Sequence, residues 1–180
     1  MRIDAELWHT SWCVLKHGQE HELGSTHQFR ASLVFTAFAL EAYLNHIGPL
    51  HFKSWGVIER KLTPIEKLII LCEQLKIDID WSARPWQSVK ALIRYRNTIA
   101  HGRGEELFED YTDSIDHYEL KLYESPLTEW EKYASAETAV RAREDVEFVA
   151  HALHDKGGDL QDYPFFPGSQ SGTAGPPRNV

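Results

Sequence analysis

Long apolar runs are missing from this chain. No stretch approaches the ~18 apolar residues of a membrane span, and the opening MRIDAELWHTSW carries Asp4 and Glu6 where a secretory leader would need its apolar core. No membrane association is expected, and a cytoplasmic setting is. Cysteine is scarce too. Cys13 and Cys72 are the only two and form no C-x-x-C pair, which excludes a disulfide framework and a Cys-rich zinc ribbon and suits a reducing compartment. A basic excess is also lacking: 19 Lys and Arg stand against 27 Asp and Glu, a formal charge of -8. Any polyanion must therefore be held by a local cationic patch, because the averaged field repels it beyond the ~8 Å screening length of physiological salt. Glycine-rich phosphate loops and a Gly-x-Ser-x-Gly elbow are absent, so P-loop and α/β-hydrolase chemistry are not indicated. What is present suffices for one folded domain: 180 residues, 42% hydrophobic, six of them Trp.

The apolar spacing is helical in most segments. DAELWHTSWCVLKHGQEHEL sets Leu7, Val14 and Leu15 near one face beside Trp8 and Trp12, with Gly18 and Gly24 weakening its end. STHQFRASLVFTAFALEAYLNHIG offers Ser25 and Gln28 as a capping box and repeats Phe29, Leu33, Leu40, Leu44 and Ile47. Between Leu33 and Leu44 only Thr36 and Glu41 are strongly polar, so this helix must be covered on most sides by a bundle or by a second subunit. LTPIEKLIILCEQLKI has Thr63 as N-cap, Pro64 at the first helical position and Glu66 reaching back, with Leu68, Leu71 and Leu75 as its buried stripe. PWQSVKALIRYRNTIAHG runs from Pro85 to a stop at Gly102. SAETAVRAREDVEFVAHALHDK resumes the period through Val140, Val146, Val149 and Leu153, with Arg143 and Glu147 spaced to pair. Four to five main helices with few strand signals predict an all-α, up-and-down bundle. The domain is expected over 1–156, with an acidic irregular excursion over about 104–134. A Pro/Gly-rich tail, 157–180, is ordered only if Phe165 and Phe166 dock.

The segment with chemistry to offer is ALIRYRNTIAHG. Arginine carries a permanent charge on a planar fork that matches a phosphate, and histidine exchanges protons near neutrality. Five residues turn Arg96 and His101 ~140° apart on a straight helix, whereas Asn97 and His101 share a face. Arg96 and His101 therefore converge only if the helix ends near His101 or a second subunit completes the site. Glu41 is a second candidate, because a carboxylate in so apolar a helix is costly unless paired, and Arg96 is its natural partner. On the residues alone that pair could merely pin two helices. From Pro85 to Gly104 there is no acidic residue, while Lys90, Arg94, Arg96 and Arg103 are cationic, a local patch for an RNA backbone. The acidic stretch that follows, from Glu105 to Asp116, would repel a long RNA if it folded back.

RNTIAH, with Arg96, Asn97 and His101, resembles the R-x-x-x-x-H signature of the HEPN (higher eukaryotes and prokaryotes nucleotide-binding) superfamily, and FALEAYLNHIG, with Glu41 and Asn45, resembles its earlier helix. The resemblance spans about Ser25 to Gly104. It implies an all-α HEPN-like homodimer in which two arginines and two histidines meet in one cleft, which Glu41 lines. It further implies a metal-independent endoribonuclease, of a toxin–antitoxin or phage-defence kind, that cleaves RNA by attack of the 2'-hydroxyl. No cofactor is then needed. On this reading Arg96 and His101 are catalytic with Glu41 and Asn97 in support, and Asn45, Lys90, Arg94 and Arg103 contact substrate. The alternative it allows is a non-catalytic module whose dimer interface binds a protein, such as an antitoxin, or a nucleotide. One departure is visible: members silenced by nucleotidylation carry a tyrosine two residues after the histidine, where this chain has Arg103.

HGQEH offers a rival. His17 and His21, four apart, could hold zinc with Glu20 as base, making a zinc hydrolase, although Gly18 weakens the helix and no third ligand is marked. No metal is expected.

Overall fold

A computed structural model describes residues 2–102, 127–157 and 163–166. Seven helices occur there: α1 Ile3–Glu20, α2 Ser25–His51, α3 Trp55–Ile58, α4 Pro64–Leu75, α5 Trp86–His101, α6 Glu129–Tyr133 and α7 Ala136–Gly157. The described residues contain no strand, so the protein is all-α, with five long helices and two short ones. No described helix is long and apolar enough to cross a membrane.

The apolar sequence of α2 puts it at the centre. It touches α1, α4, α5 and α7, and Leu33, Ala39, Leu40, Tyr43 and Leu44 are fully buried along it. Each buried leucine removed from water contributes about 1.5–3 kcal/mol. The helix starts differently from the expected capping box. Gly24, in the left-handed conformation at φ 78°, takes the N-cap position and makes no side-chain bond, so Ser25 is already helical. α2 also continues past Gly48 through Pro49 to His51. Gly48 is required at its place: a Cβ there would run into the Trp55 indole, which α3 folds back against α2.

The start of α4 follows the sequence closely. Thr63 Oγ1 accepts from Glu66 N at 3.3 Å and Glu66 Oε2 accepts from Thr63 N at 2.7 Å, completing the box around Pro64. α5 is tied to α7 ahead of its first turn: Arg84 Nε donates to both Asp145 oxygens, at 3.1 and 2.9 Å. The same box chemistry, Thr128 with Glu131, starts α6 inside the stretch expected to be irregular, where Arg30 of α2 stacks on Trp130 at 4.7 Å. Gly18 does not weaken α1; it gives Phe29 and Gln28 of α2 room to pack there. Beyond α7, Phe165 is buried, stacked on Trp8 with ring centroids 4.3 Å apart, while Phe166 stays exposed. The acidic stretch 103–126 and the tail from 167 lie outside the described residues.

Candidate active site

Three helices meet at Glu41. It sits mid-way along α2, and its two oxygens are divided between cations from α4 and α5. Lys67 Nζ donates to Oε1 at 2.9 Å and Arg96 Nη2 to Oε2 at 2.5 Å. Lys67 is only 3% exposed, an unusual depth for an ammonium, which explains why a carboxylate is tolerated in so apolar a helix. Arg96 is held from two further directions: its Nη1 donates to Asn97 Oδ1 at 2.9 Å, and its guanidinium carbon stands 5.0 Å from the centre of the Phe38 ring. The expected Glu41–Arg96 pair is therefore present, with Lys67 as a partner that sequence reasoning missed. A lysine following a capping box beside a leucine stripe gives no separate signal of burial.

Two cations facing one carboxylate leave a formal surplus of one positive charge at this point. The side chains of Glu41 and Arg96 retain 22% and 21% exposure, so the surplus is reachable from solvent. Its surroundings on α5 are cationic. At ~100° per residue, Lys90, Arg94, Asn97 and His101 fall within ~60° of one another around the helix, and Arg96 lies about a third of a turn away. Lys90, Arg94 and His101 are exposed, and Lys90 Nζ lies 5.4 Å from the Trp81 ring centre. Asn97 therefore links this outer stripe to the inward-turned arginine.

Within one chain the structure brings Glu41, Arg96 and Asn97 together and does not bring His101 to them. His101 is exposed in the last turn of α5, followed by Gly102 in the left-handed conformation at φ 56°. Asn45, one turn beyond Glu41, has its Oδ1 buried with no hydrogen-bond partner. Arg103 lies outside the described residues. His17 and His21 are on or just past the last turn of α1, their rings stacked 4.2 Å apart, with His21 Nδ1 3.0 Å from the His17 carbonyl oxygen. No group of three or more His, Cys, Asp or Glu among the described residues is placed to hold a metal.

Glu66, whose bonds to Thr63 fix the turn that carries Lys67, has its carboxyl held below the usual range by the Thr63 backbone N–H and then by its hydroxyl. No family model, curated protein or solved structure matches this chain.

Proposed function

We propose that this chain is a metal-independent endoribonuclease of HEPN type, acting as a homodimer, with Arg96 and His101 as the reacting pair. The observation that carries the reading is the Asn97 bridge, which couples a partly exposed arginine, in a cluster with surplus positive charge, to an exposed cationic stripe ending at His101. A phosphodiester laid along that stripe meets Lys90 and Arg94 as backbone contacts. Arg96 then exchanges its Asn97 bond for the charge that grows on the phosphorus oxygens, while Glu41 keeps the other terminal nitrogen. His101 takes the proton from the 2'-hydroxyl, whose oxygen attacks phosphorus, and the His101 of the second protomer returns a proton to the departing 5'-oxygen, leaving a cyclic phosphate. Two-fold pairing about the end of α5 supplies the convergence that the ~140° separation denies a single helix. Such an activity suits a toxin or defence effector, restrained by an antitoxin or other protein partner.

A second reading is favoured by the same geometry. Glu41 and Asn97 already occupy both terminal nitrogens of Arg96, as a structural clasp would. This chain would then be a non-catalytic interaction module. Incubation of the purified protein with mixed RNA in EDTA decides between them. Cleavage to cyclic-phosphate ends, lost in His101→Ala without loss of fold, supports the nuclease; intact RNA at high protein concentration leaves the module.

A further inference from the structure

A cavity of about 710 Å³ opens between α1, α7 and the 163–166 segment, and it shares no lining residue with the Glu41 site. Its wall is aromatic, and the faces are not equally free. Trp8 is closed on both sides: Phe165 stacks on it at 4.3 Å with the planes 12° apart, and the Arg143 guanidinium carbon stands 3.7 Å from its centre, too close for both to share one face. Trp12, Tyr163 and Phe166 keep 46%, 59% and 69% of their surface exposed and also line the space.

The charges sort in the same way. Arg143 is committed, its Nη1 donating to the Trp8 carbonyl at 3.0 Å and to Ser11 Oγ. Arg143 and Glu147 do not come within ion-pair distance, because the guanidinium turns inward beneath Trp8, although Glu147 still acts on its charge through space. Glu147 on α7 and Glu6 on α1 line the cavity from two walls, both exposed, and neither has an ion-pair partner among the described residues. His9 stacks on Trp12 at 5.9 Å.

We infer that this cavity binds an organic cation, a quaternary ammonium head on a short apolar stem. Phe166, and the faces of Trp12 and Tyr163 that His9 and His154 leave free, present the negative side of the aromatic quadrupole to a cation and still cover its methyl or methylene surface. The two carboxylates supply the counter-charge and repel an anion of the same shape. The volume falls in the ~300–1,000 Å³ range of small-ligand sites. The inference is independent of the RNA reading, since neither Arg96 nor His101 takes part.

Calorimetric titration of the full chain with choline tests it, with 3,3-dimethyl-1-butanol as the neutral isostere. Saturable one-to-one binding of choline is expected, with a dissociation constant on the order of millimolar for so few atoms. The isostere should bind at least about tenfold more weakly, since it lacks the charge that the rings and carboxylates recognise. Trp12→Ala should weaken choline binding about tenfold and Glu147→Gln several-fold; both side chains are exposed, so the fold survives, which circular dichroism checks. Equal affinity for the isostere would reduce the site to an apolar slot. No saturable binding, or choline binding unchanged in both variants, would overturn the proposal.

Discussion

The ammonium of Lys67 lies 2.9 Å from Glu41 Oε1 and is almost wholly buried, and Glu41 is its sole charge partner among the described residues. Removing the carboxylate strands a buried cation, whereas removing the lysine strands a carboxylate that still has Arg96. Glu41→Ala should therefore destabilise the protein by about 3–5 kcal/mol. Lys67→Met, which keeps the stem volume, should cost less. The double variant Glu41→Gln, Lys67→Met should recover part of the Glu41 loss, and urea midpoints at unchanged m-value report the coupling. Equal costs for the two single changes would mean that losing Glu41 does not strand the Lys67 ammonium, against its burial.

Arg96 and His101 should separate in their effects. His101 is exposed and bonded to nothing among the described residues, so His101→Ala is expected to shift stability by no more than about 0.5 kcal/mol. Arg96→Lys keeps the charge but loses the fork that spans Glu41 and Asn97, so it should cost roughly 1 kcal/mol of stability. Under the nuclease reading both variants lose RNA cleavage by about 100-fold or more. A His101→Ala protein that cleaves RNA as well as the parent would end that reading whatever Arg96 does.

The helical framework was legible because its signals are local. The Thr63–Pro64–Glu66 start, the Gly102 stop and the apolar run of α2 each act within a few residues of themselves. The Glu41–Arg96 pair was legible for a different reason: a carboxylate in an apolar helix demands a cation, and α5 offered few. What escaped depends on contacts distant in sequence. Lys67 is buried by the approach of α2, Gly18 is a packing contact with Phe29, and Phe165 docks because Trp8 and Tyr43 leave it a seat. The Arg143–Glu147 pair failed likewise, since helical spacing permits it but Trp8 and Ser11 take the guanidinium.

The crossing of α2 and α3 makes a sharp steric prediction. Gly48 leaves space that the Trp55 indole fills, and Trp55 is 1% exposed. One added methyl must displace a ring that has nowhere to move, so Gly48→Ala should destabilise by about 1–3 kcal/mol even though alanine favours the helix by itself. Thermal unfolding monitored by near-ultraviolet circular dichroism reads both the loss and the altered Trp55 environment. A gain in stability would show that α3 is free to shift away.

Alkaline pH should weaken the fold, starting with Cys72. Burial pushes its thiol from an ordinary value near 9 up to about 12, and Tyr133 is likewise pushed up to about 12. In each case the unfolded chain loses its proton first. The stability these groups contribute is therefore complete below the unfolded value and drains away as pH climbs towards the folded one. Arg143 has the opposite sign: burial lowers it to about 10, so its buried charge costs stability below that pH, and the cost is relieved between about 10 and the ordinary arginine range. An unfolded tyrosine is only about half ionised at pH 10, when an unfolded thiol has lost most of its proton, so Cys72 dominates among these groups between pH 8.5 and 10. Over that interval the parent should lose roughly 1 kcal/mol more than Cys72→Ala, whatever the variant's starting stability, given ~1.4 kcal/mol per proton and pH unit. Parallel stability curves for the two proteins across this interval would show that the Cys72 thiol titrates alike folded and unfolded, and so is not sealed in the core.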